Sequence, residues 1–267
     1  MGKLSDAIYE VHYMDTLSSQ DSAIHRVHPL VKLIVSVAYI WFTVSFDKYD
    51  VAGLITMVVY PAAMFSLSGV SFGHSIKKLR IVLPLVILMG IFNPFFDREP
   101  RFLFYGLTVT NGMVSGLTLI LKGFLTVLGA YLLIATTKIE SICYALNLLH
   151  VPEILVTQIL LTYRYITVLL SEANHIFEAY SLRAPFQKGI HHKVWGSLIG
   201  QLIFRSIDRA GALYDSMVLR GYSGNFRHSQ LIKARWQDFA YLLGWGAAFA
   251  VLRFTGLTSL VGGMFVR

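Results

Sequence analysis

The chain has 267 residues, of which 55% are hydrophobic and only 14% are charged. A soluble domain carries about 25% charged residues, so this chain has too little polar surface to cover a globule in water. Its formal net charge is +8, but the basic residues are interleaved with apolar runs of membrane length, which argues against a nucleic-acid partner. Cys143 is the only cysteine, so no intrachain disulfide can form.

A polar N-terminal segment precedes the first apolar run. Residues 1–29 contain no short apolar core followed by a small-residue cleavage site, so the sequence predicts no cleaved signal peptide. Leu30–Phe46 then predicts a first membrane span, with Lys32 near its start, and Val51–Leu67 predicts a second. The segment Ser68–Arg80 that follows is polar.

A third span is predicted at Ile81–Phe96, kinked or interrupted by Pro84 and ended by Asn93–Pro94. Asp97–Gly112 is predicted to be a loop, in which Phe102–Tyr105 is either a short strand or an interfacial segment.

Two further spans complete the prediction. The fourth is Met113–Ala135, which has Lys122 in its middle. The last begins at Phe239–Val251 and is expected to run past Arg253 toward Gly262. These segments predict an all-α integral membrane protein with about five transmembrane helices.

The region between residues 136 and 238 has a different pattern, because charged residues interrupt its apolar runs at helical spacing. Two amphipathic helices are predicted there, over Val156–Leu170 and Ser197–Leu219. The predicted division is an N-terminal cytoplasmic segment (1–29), four spans (30–135), a cytoplasmic helical coupling domain (136–238) and a C-terminal span (239–267).

The distribution of lysine and arginine predicts the orientation. With the N-terminus inside and five spans, most of the 23 basic residues lie on the inner side. Only Lys48, Arg98, Arg101 and Arg267 lie outside. If Ile154–Leu170 were a further span, the basic residues that follow it would be outside, so this stretch is predicted to stay on the inner side.

The sequence lacks the common catalytic and nucleotide-binding motifs. The sequence has no Gly-rich phosphate loop, no His-Glu-x-x-His pair and no Gly-x-Ser-x-Gly elbow, so we expect no ATP site in this chain. His25, His28 and the pair His191–His192 raise the question of a metal site, but their spacing favours polar interfacial residues. Lys122 is the best candidate for a functional residue within the membrane, with snorkelling or pairing as the alternative.

Two similar short motifs stand at the ends of predicted helices. Leu182–Ala184 precedes Pro185, and Leu219–Gly221 has Gly221 as a left-handed helix cap. In each motif an arginine near the helix end can complement the helix dipole and bind a carboxylate in bidentate geometry. The small residue after it lets another backbone approach. Two copies in one basic domain suggest docking to a partner. The motif residues are Leu182, Arg183, Ala184, Leu219, Arg220 and Gly221.

With these motifs the chain resembles the CbiQ family, the transmembrane T components of energy-coupling factor (ECF) transporters for cobalt. His28–Lys32 resembles the segment that leads into the family's first span. Leu182–Ala184 and Leu219–Gly221 match its paired x-Arg-x motifs, although many members have Ala-Arg-Gly in the first. The run Leu219–Gly224 looks like the metal-uptake branch.

The resemblance implies a non-catalytic subunit that binds no cofactor. Its cytoplasmic helices would couple to two ATP-binding-cassette subunits similar to CbiO, which bind the ATP, with one arginine motif for each. A separate membrane subunit similar to CbiM would capture the substrate, with a small subunit similar to CbiN. Other interpretations are a T component for nickel or a vitamin, an intramembrane enzyme or ion channel that uses Lys122, and a membrane anchor that recruits cytosolic proteins.

Overall fold

The computed structural model describes residues 2–80, 82–97, 100–104, 107–185, 190–224 and 235–254. It divides into two units, of which the first combines Met1–Thr16 with Ile139–Leu231 and the second combines Leu17–Lys138 with Ile232–Arg267. In chain order the elements are α1 (Gly2–Ser18), α2 (Pro29–Ser45), α3 (Val51–Thr56), α4 (Val59–Ser68), α5 (Phe72–Leu79), α6 (Leu83–Phe96), β1 (Pro100–Phe104), β2 (Leu107–Thr110), α7 (Asn111–Thr136), α8 (Ile139–Leu148), α9 (Glu153–Arg183), α10 (His192–Leu219) and α11 (Trp236–Phe254).

The all-α fold class is therefore confirmed, with one small antiparallel hairpin of β1 and β2. Within the described residues, three stretches are long and apolar enough to cross a membrane, namely Val51–Ser68, α7 and α9. The apolar helix α2 and the apolar part of α6, Leu83–Pro94, are shorter. The described part of the predicted last span lies in α11, and its continuation toward Gly262 lies outside the described residues.

The core of the second unit is a cluster of aromatic side chains from α2, α4 and α11. The rings of Tyr39 and Tyr60 lie 4.4 Å apart, and Tyr60 contacts Trp245 edge-on at 4.8 Å and Phe249 at 5.4 Å. Tyr39, Tyr60 and Phe249 are fully buried. Such edge-on ring contacts add to the burial of apolar area, so this cluster fixes how the three helices pack.

The predicted second span is broken in the middle. Instead of one helix it forms α3 and α4, separated by a turn at Met57–Val58. The Tyr39 hydroxyl donates a hydrogen bond to the Met57 carbonyl at 3.4 Å. A helix break within an apolar layer needs such a partner for its free backbone groups.

Glycines bring α6 and α7 into backbone contact. A Cβ atom on Gly116 would lie 2.6 Å from the Gly90 carbonyl oxygen, and one on Gly112 would lie 2.4 Å from the Asp97 carbonyl oxygen. Gly112 and Gly116 are four residues apart on α7, the spacing with which small residues let two membrane helices pack closely.

The prediction for the prolines of the third span was wrong. Pro84 does not kink α6, because it stands in the helix's first turn, where proline is tolerated. The helix also does not end at Pro94 but continues to Phe96. Pro94 has no N–H to give to the carbonyl of Gly90, and the close approach of Gly116 to that carbonyl supplies a packing partner instead.

Phe102–Tyr105 was predicted as either a short strand or an interfacial segment, and most of it forms a strand. Phe102, Leu103 and Phe104 belong to β1, and they pair with Val109, Thr108 and Leu107 of β2. Tyr105 lies outside the described residues.

The first unit is built from α8, α9, α10 and most of α1. The predicted amphipathic helices are present but longer, because α9 has 31 residues and α10 has 28. The N-terminal segment, predicted only as a polar stretch, forms the 17-residue helix α1. Its Asp15 carboxylate accepts a hydrogen bond from the Tyr163 hydroxyl of α9 at 2.5 Å. This contact attaches α1 to the long helix of its own unit.

Candidate functional site: two arginine motifs at helix ends

The first motif lies where α9 ends. Arg183 is the last residue of the helix and is exposed. Ala184 caps the helix, and its N–H donates to the Tyr180 carbonyl at 3.0 Å. Pro185 follows and cannot continue the helix. Leu182 is 80% exposed.

The second motif lies where α10 ends, and a complete Schellman cap fixes its backbone. Gly221 has φ +84°, which confirms the predicted left-handed conformation. The Tyr222 N–H donates to the Met217 carbonyl and the Gly221 N–H to the Val218 carbonyl, both at 2.9 Å. Arg220 was predicted in the last turn, but it is the C-cap residue, one position after the last helical residue.

The second motif also exposes its leucine and its arginine. Leu219 is 88% exposed, and Arg220 is exposed beside it. Each helix therefore ends with an uncovered leucine next to a guanidinium. An apolar contact and a bidentate charged contact are thus available to a partner at the same place.

The two motifs are held at opposite ends of one helix pair. Glu172 of α9 forms an ion pair with Arg205 of α10. Further along α9, the Phe177 ring packs edge-on against Trp195 at 5.8 Å. The contact that lies later in α9 lies earlier in α10, so the two helices are antiparallel. At 1.5 Å per residue, the arginines are up to roughly 40 Å apart. The structure does not bring the motifs together into one site.

Helix α10 carries an exposed apolar ridge that the sequence analysis missed. In the amphipathic helix predicted over Ser197–Leu219, the apolar face that includes Leu198 and Leu202 is the inner face, and Leu198 is buried. A second set of large apolar residues is 43–61% exposed. The residues of this ridge, at four- and seven-residue steps, are Trp195, Ile199, Ile203, Ile207, Tyr214 and Val218. That spacing forms one ridge on a helix and was readable from the sequence.

Lys122 lies apart from these motifs, in the second unit. Its ammonium group donates to the carbonyls of Val44 and Phe46 at the C-terminal end of α2. Arg253 donates to the neighbouring Ser45 carbonyl at 3.0 Å and stacks on the Phe46 ring. A cation is stabilising where a helix leaves its last carbonyls unpaired. This geometry favours the structural interpretation of Lys122.

The histidines considered as metal ligands make structural contacts. His28 accepts from the Leu30 N–H and caps α2, and His191 accepts from the Lys193 N–H and caps α10. His25 contacts the Ser22 hydroxyl at 2.7 Å. Across the described ranges, no group of three or more His, Cys, Asp or Glu residues is placed to hold a metal ion.

The long apolar helices define a membrane protein. A family model described as CbiQ, cobalt transport protein, matches residues 20–231, and the chain belongs to this family.

Curated relatives cover most of the chain. The ECF transporter transmembrane protein EcfT of Lactococcus lactis is 26% identical over 84% of this chain and 89% of its own length. The EcfT of Lacticaseibacillus paracasei is 26% identical over 90% of this chain and 95% of its own. The nickel permease LarQ of Lactiplantibacillus plantarum is 27% identical over 40% of this chain and 39% of its own length.

Proposed function

We propose that the chain is the transmembrane coupling subunit of an ECF importer that takes up cobalt ions. It would transmit the conformational change of ATPase subunits to a separate membrane subunit that captures the substrate. The observation that carries the proposal is the pair of exposed Leu-Arg motifs at the C-terminal ends of α9 and α10, which lie at opposite ends of this helix pair, in a chain of the CbiQ family.

The separation of the motifs supports docking to two ATPase subunits. A single small partner cannot easily contact two helix ends that lie up to roughly 40 Å apart. Two similar partners, each taking one leucine and one arginine, match the near-repetition of Leu182–Ala184 and Leu219–Gly221. Truncating an arginine that is buried against a carboxylate at an interface costs about 2–5 kcal/mol, because the partner charge is left unpaired.

The proposed topology places the N-terminus and the first unit on the cytoplasmic side of the bacterial plasma membrane. Although α9 is long and apolar enough to span a membrane, it carries Arg164, Glu172, Glu178 and Arg183 along its length. The positive-inside rule keeps α9 and α10 with the other basic residues of the inner side. The ATPases would reach both arginines there.

Cobalt is proposed as the cargo because the matching family model is described as a cobalt transport protein. The nickel permease LarQ supports nickel as the alternative. A vitamin remains the further alternative named in the sequence analysis. For the cobalt importer, the partners proposed are two subunits similar to CbiO that bind and hydrolyse ATP, a capture subunit similar to CbiM and a small subunit similar to CbiN.

The test compares the double variant Arg183→Ala/Arg220→Ala with wild type. The chain is co-expressed with its ATPase and capture subunits, purified in detergent and assayed for retained ATPase and for ATP-driven uptake of Co²⁺ and Ni²⁺ in vesicles. The matched control is Arg164→Ala/Arg209→Ala, which removes two exposed arginines from the middle of the same helices.

We expect the helix-end variant to lose the ATPase or the coupled uptake, and the control to retain both. If the helix-end variant keeps both, the arginines are helix caps and the docking proposal is refuted. If the wild type takes up Ni²⁺ but not Co²⁺, the cargo is nickel and not cobalt, and the proposed coupling role still stands.

A further inference from the structure

The chain passes between its two units at three places, namely Thr16–Leu17, Lys138–Ile139 and Leu231–Ile232. If the first unit moves the second, the chain next to each connection has to be fixed within the second unit. Otherwise the movement would be lost in the connecting residues. In the second unit, polar side chains of one short stretch and the carboxylate of Asp238 contact the described residues nearest to these connections. We call residues 25–32 the anchor segment.

The first connection is held by His25. Its Nε2 atom lies 3.1 Å from the carbonyl oxygen of Leu17, the first residue of the second unit. Its Nδ1 atom lies 2.7 Å from the Ser22 hydroxyl. Because Leu17 and Ile24 are buried beside it, the turn after α1 has a fixed position in this unit.

The second connection is held by Lys32, whose ammonium group donates to the Thr136 carbonyl at 2.8 Å. Thr136 is the last residue of α7, two positions before the second unit ends at Lys138. The Lys32 side chain is only 3% exposed. A buried lysine is costly unless its charge is paired, so this contact at the end of a helix is specific.

The third contact is made by Asp238, which lies near the start of α11 and is 4% exposed. Its carboxylate accepts from the N–H of Arg235, the first described residue after the third connection, at 2.6 Å. The other carboxylate oxygen accepts from the N–H of His28 at 2.8 Å. Asp238 also interacts electrostatically with Lys32.

We propose that the anchor segment and Asp238 form the mechanical link through which the first unit drives the membrane helices, with Lys32 and Asp238 as its positioning residues. The proposal rests on the coupling function proposed above. Loss of an anchor contact lets the end of α7 or the start of α11 move without moving α2. ATP hydrolysis then continues while transport stops.

The test uses the complete complex with its ATPase and capture subunits, reconstituted in vesicles. Lys32→Met and Asp238→Asn remove the charges, and Asp238→Glu keeps the carboxylate. Tyr60→Phe is the matched control, because it removes only a buried hydroxyl near α2 and keeps the ring that packs against α2 and α11. The readouts are the amount of assembled complex, the rate of ATP hydrolysis and the Co²⁺ or Ni²⁺ taken up per ATP.

We expect Lys32→Met and Asp238→Asn to retain assembly and to hydrolyse ATP within about twofold of wild type. Metal uptake per ATP should fall tenfold or more, with partial recovery in Asp238→Glu and no change in Tyr60→Phe. A proportional loss of hydrolysis and uptake, or an unchanged ratio, would overturn the proposal. Failure of both charge variants to assemble, when Tyr60→Phe assembles, would also overturn it, since the anchor would then serve folding alone.

The arginine variants separate this proposal from the proposed function. Loss of the docking interface removes the ATPase from the complex, whereas loss of the anchor leaves the ATPase bound. If Arg183→Ala/Arg220→Ala behaves as wild type but the anchor variants are uncoupled, the docking model fails and the anchor stands.

Discussion

Replacing Gly221 by alanine should loosen the end of α10 that presents Arg220. Gly221 has φ +84°, where an L-residue costs roughly 1–2 kcal/mol relative to glycine. A Cβ atom there would meet nothing within 4 Å, so the cost comes from the backbone and not from a clash. The bonds that depend on this conformation are those to the Met217 and Val218 carbonyls.

Gly200 provides the matched control on the same helix. A Cβ atom on Gly200 would also meet nothing within 4 Å, but its backbone is helical. Alanine in a helix interior is favoured over glycine by roughly 0.5–1 kcal/mol. The same added methyl group should therefore stabilise α10 at position 200 and destabilise its end at position 221.

Hydrogen exchange followed by mass spectrometry measures this difference locally in the purified subunit. A loss of about 1–2 kcal/mol corresponds to about 5–30-fold faster opening, and it should appear in the peptide that contains residues 217–222. Gly221→Ala should also weaken retention of the ATPase. Unchanged exchange at this end, or the same direction of change in both variants, would refute the claim that the left-handed cap fixes Arg220.

Three further predictions concern the second unit. Gly116→Ala should lower the unfolding midpoint in detergent, at a cost of about 1–3 kcal/mol, because the new Cβ would meet the Gly90 backbone, whereas Gly73→Ala, in open space, should not. Lys122→Met should lower stability yet leave uptake per assembled complex unchanged; a channel or enzyme that uses Lys122 would lose its activity instead. Burial and then the charge of Lys32 lower the pKa of His25, so the unfolded state binds the proton more readily. Stability should thus fall as the pH drops below about 6.5, and His25→Gln should flatten this dependence in a melting series.

Features that depend on local sequence were predictable. The apolar runs gave the positions of α2, α7 and α11, and a glycine after an arginine-ended helix gave the left-handed cap at Gly221. The effect of the prolines was mispredicted because it depends on position and on tertiary packing. Pro84 falls in a first turn, and the carbonyl that Pro94 leaves unbonded is covered by α7.

Features that depend on distant contacts were not predictable. Asp238 bonds to the backbone of His28, 210 residues earlier in the chain, and no pattern in one sequence pairs them. His28–Lys32 was noted only as a resemblance, and the structure gives it a physical reason. The ridge of α10 was not predicted, because the inner apolar face alone is enough to explain an amphipathic helix.

The exposed leucines of the two motifs affect how stable the chain would be in the cell before it binds its proposed partners. With the topology proposed above, Leu182 and Leu219, together with the ridge of α10, would leave the isolated chain with exposed apolar surface in water. A copy made without partners is therefore a target for aggregation and proteolysis. Balanced synthesis of the subunits would protect it, and the abundance of the chain in cells should follow that of the partner that covers these residues.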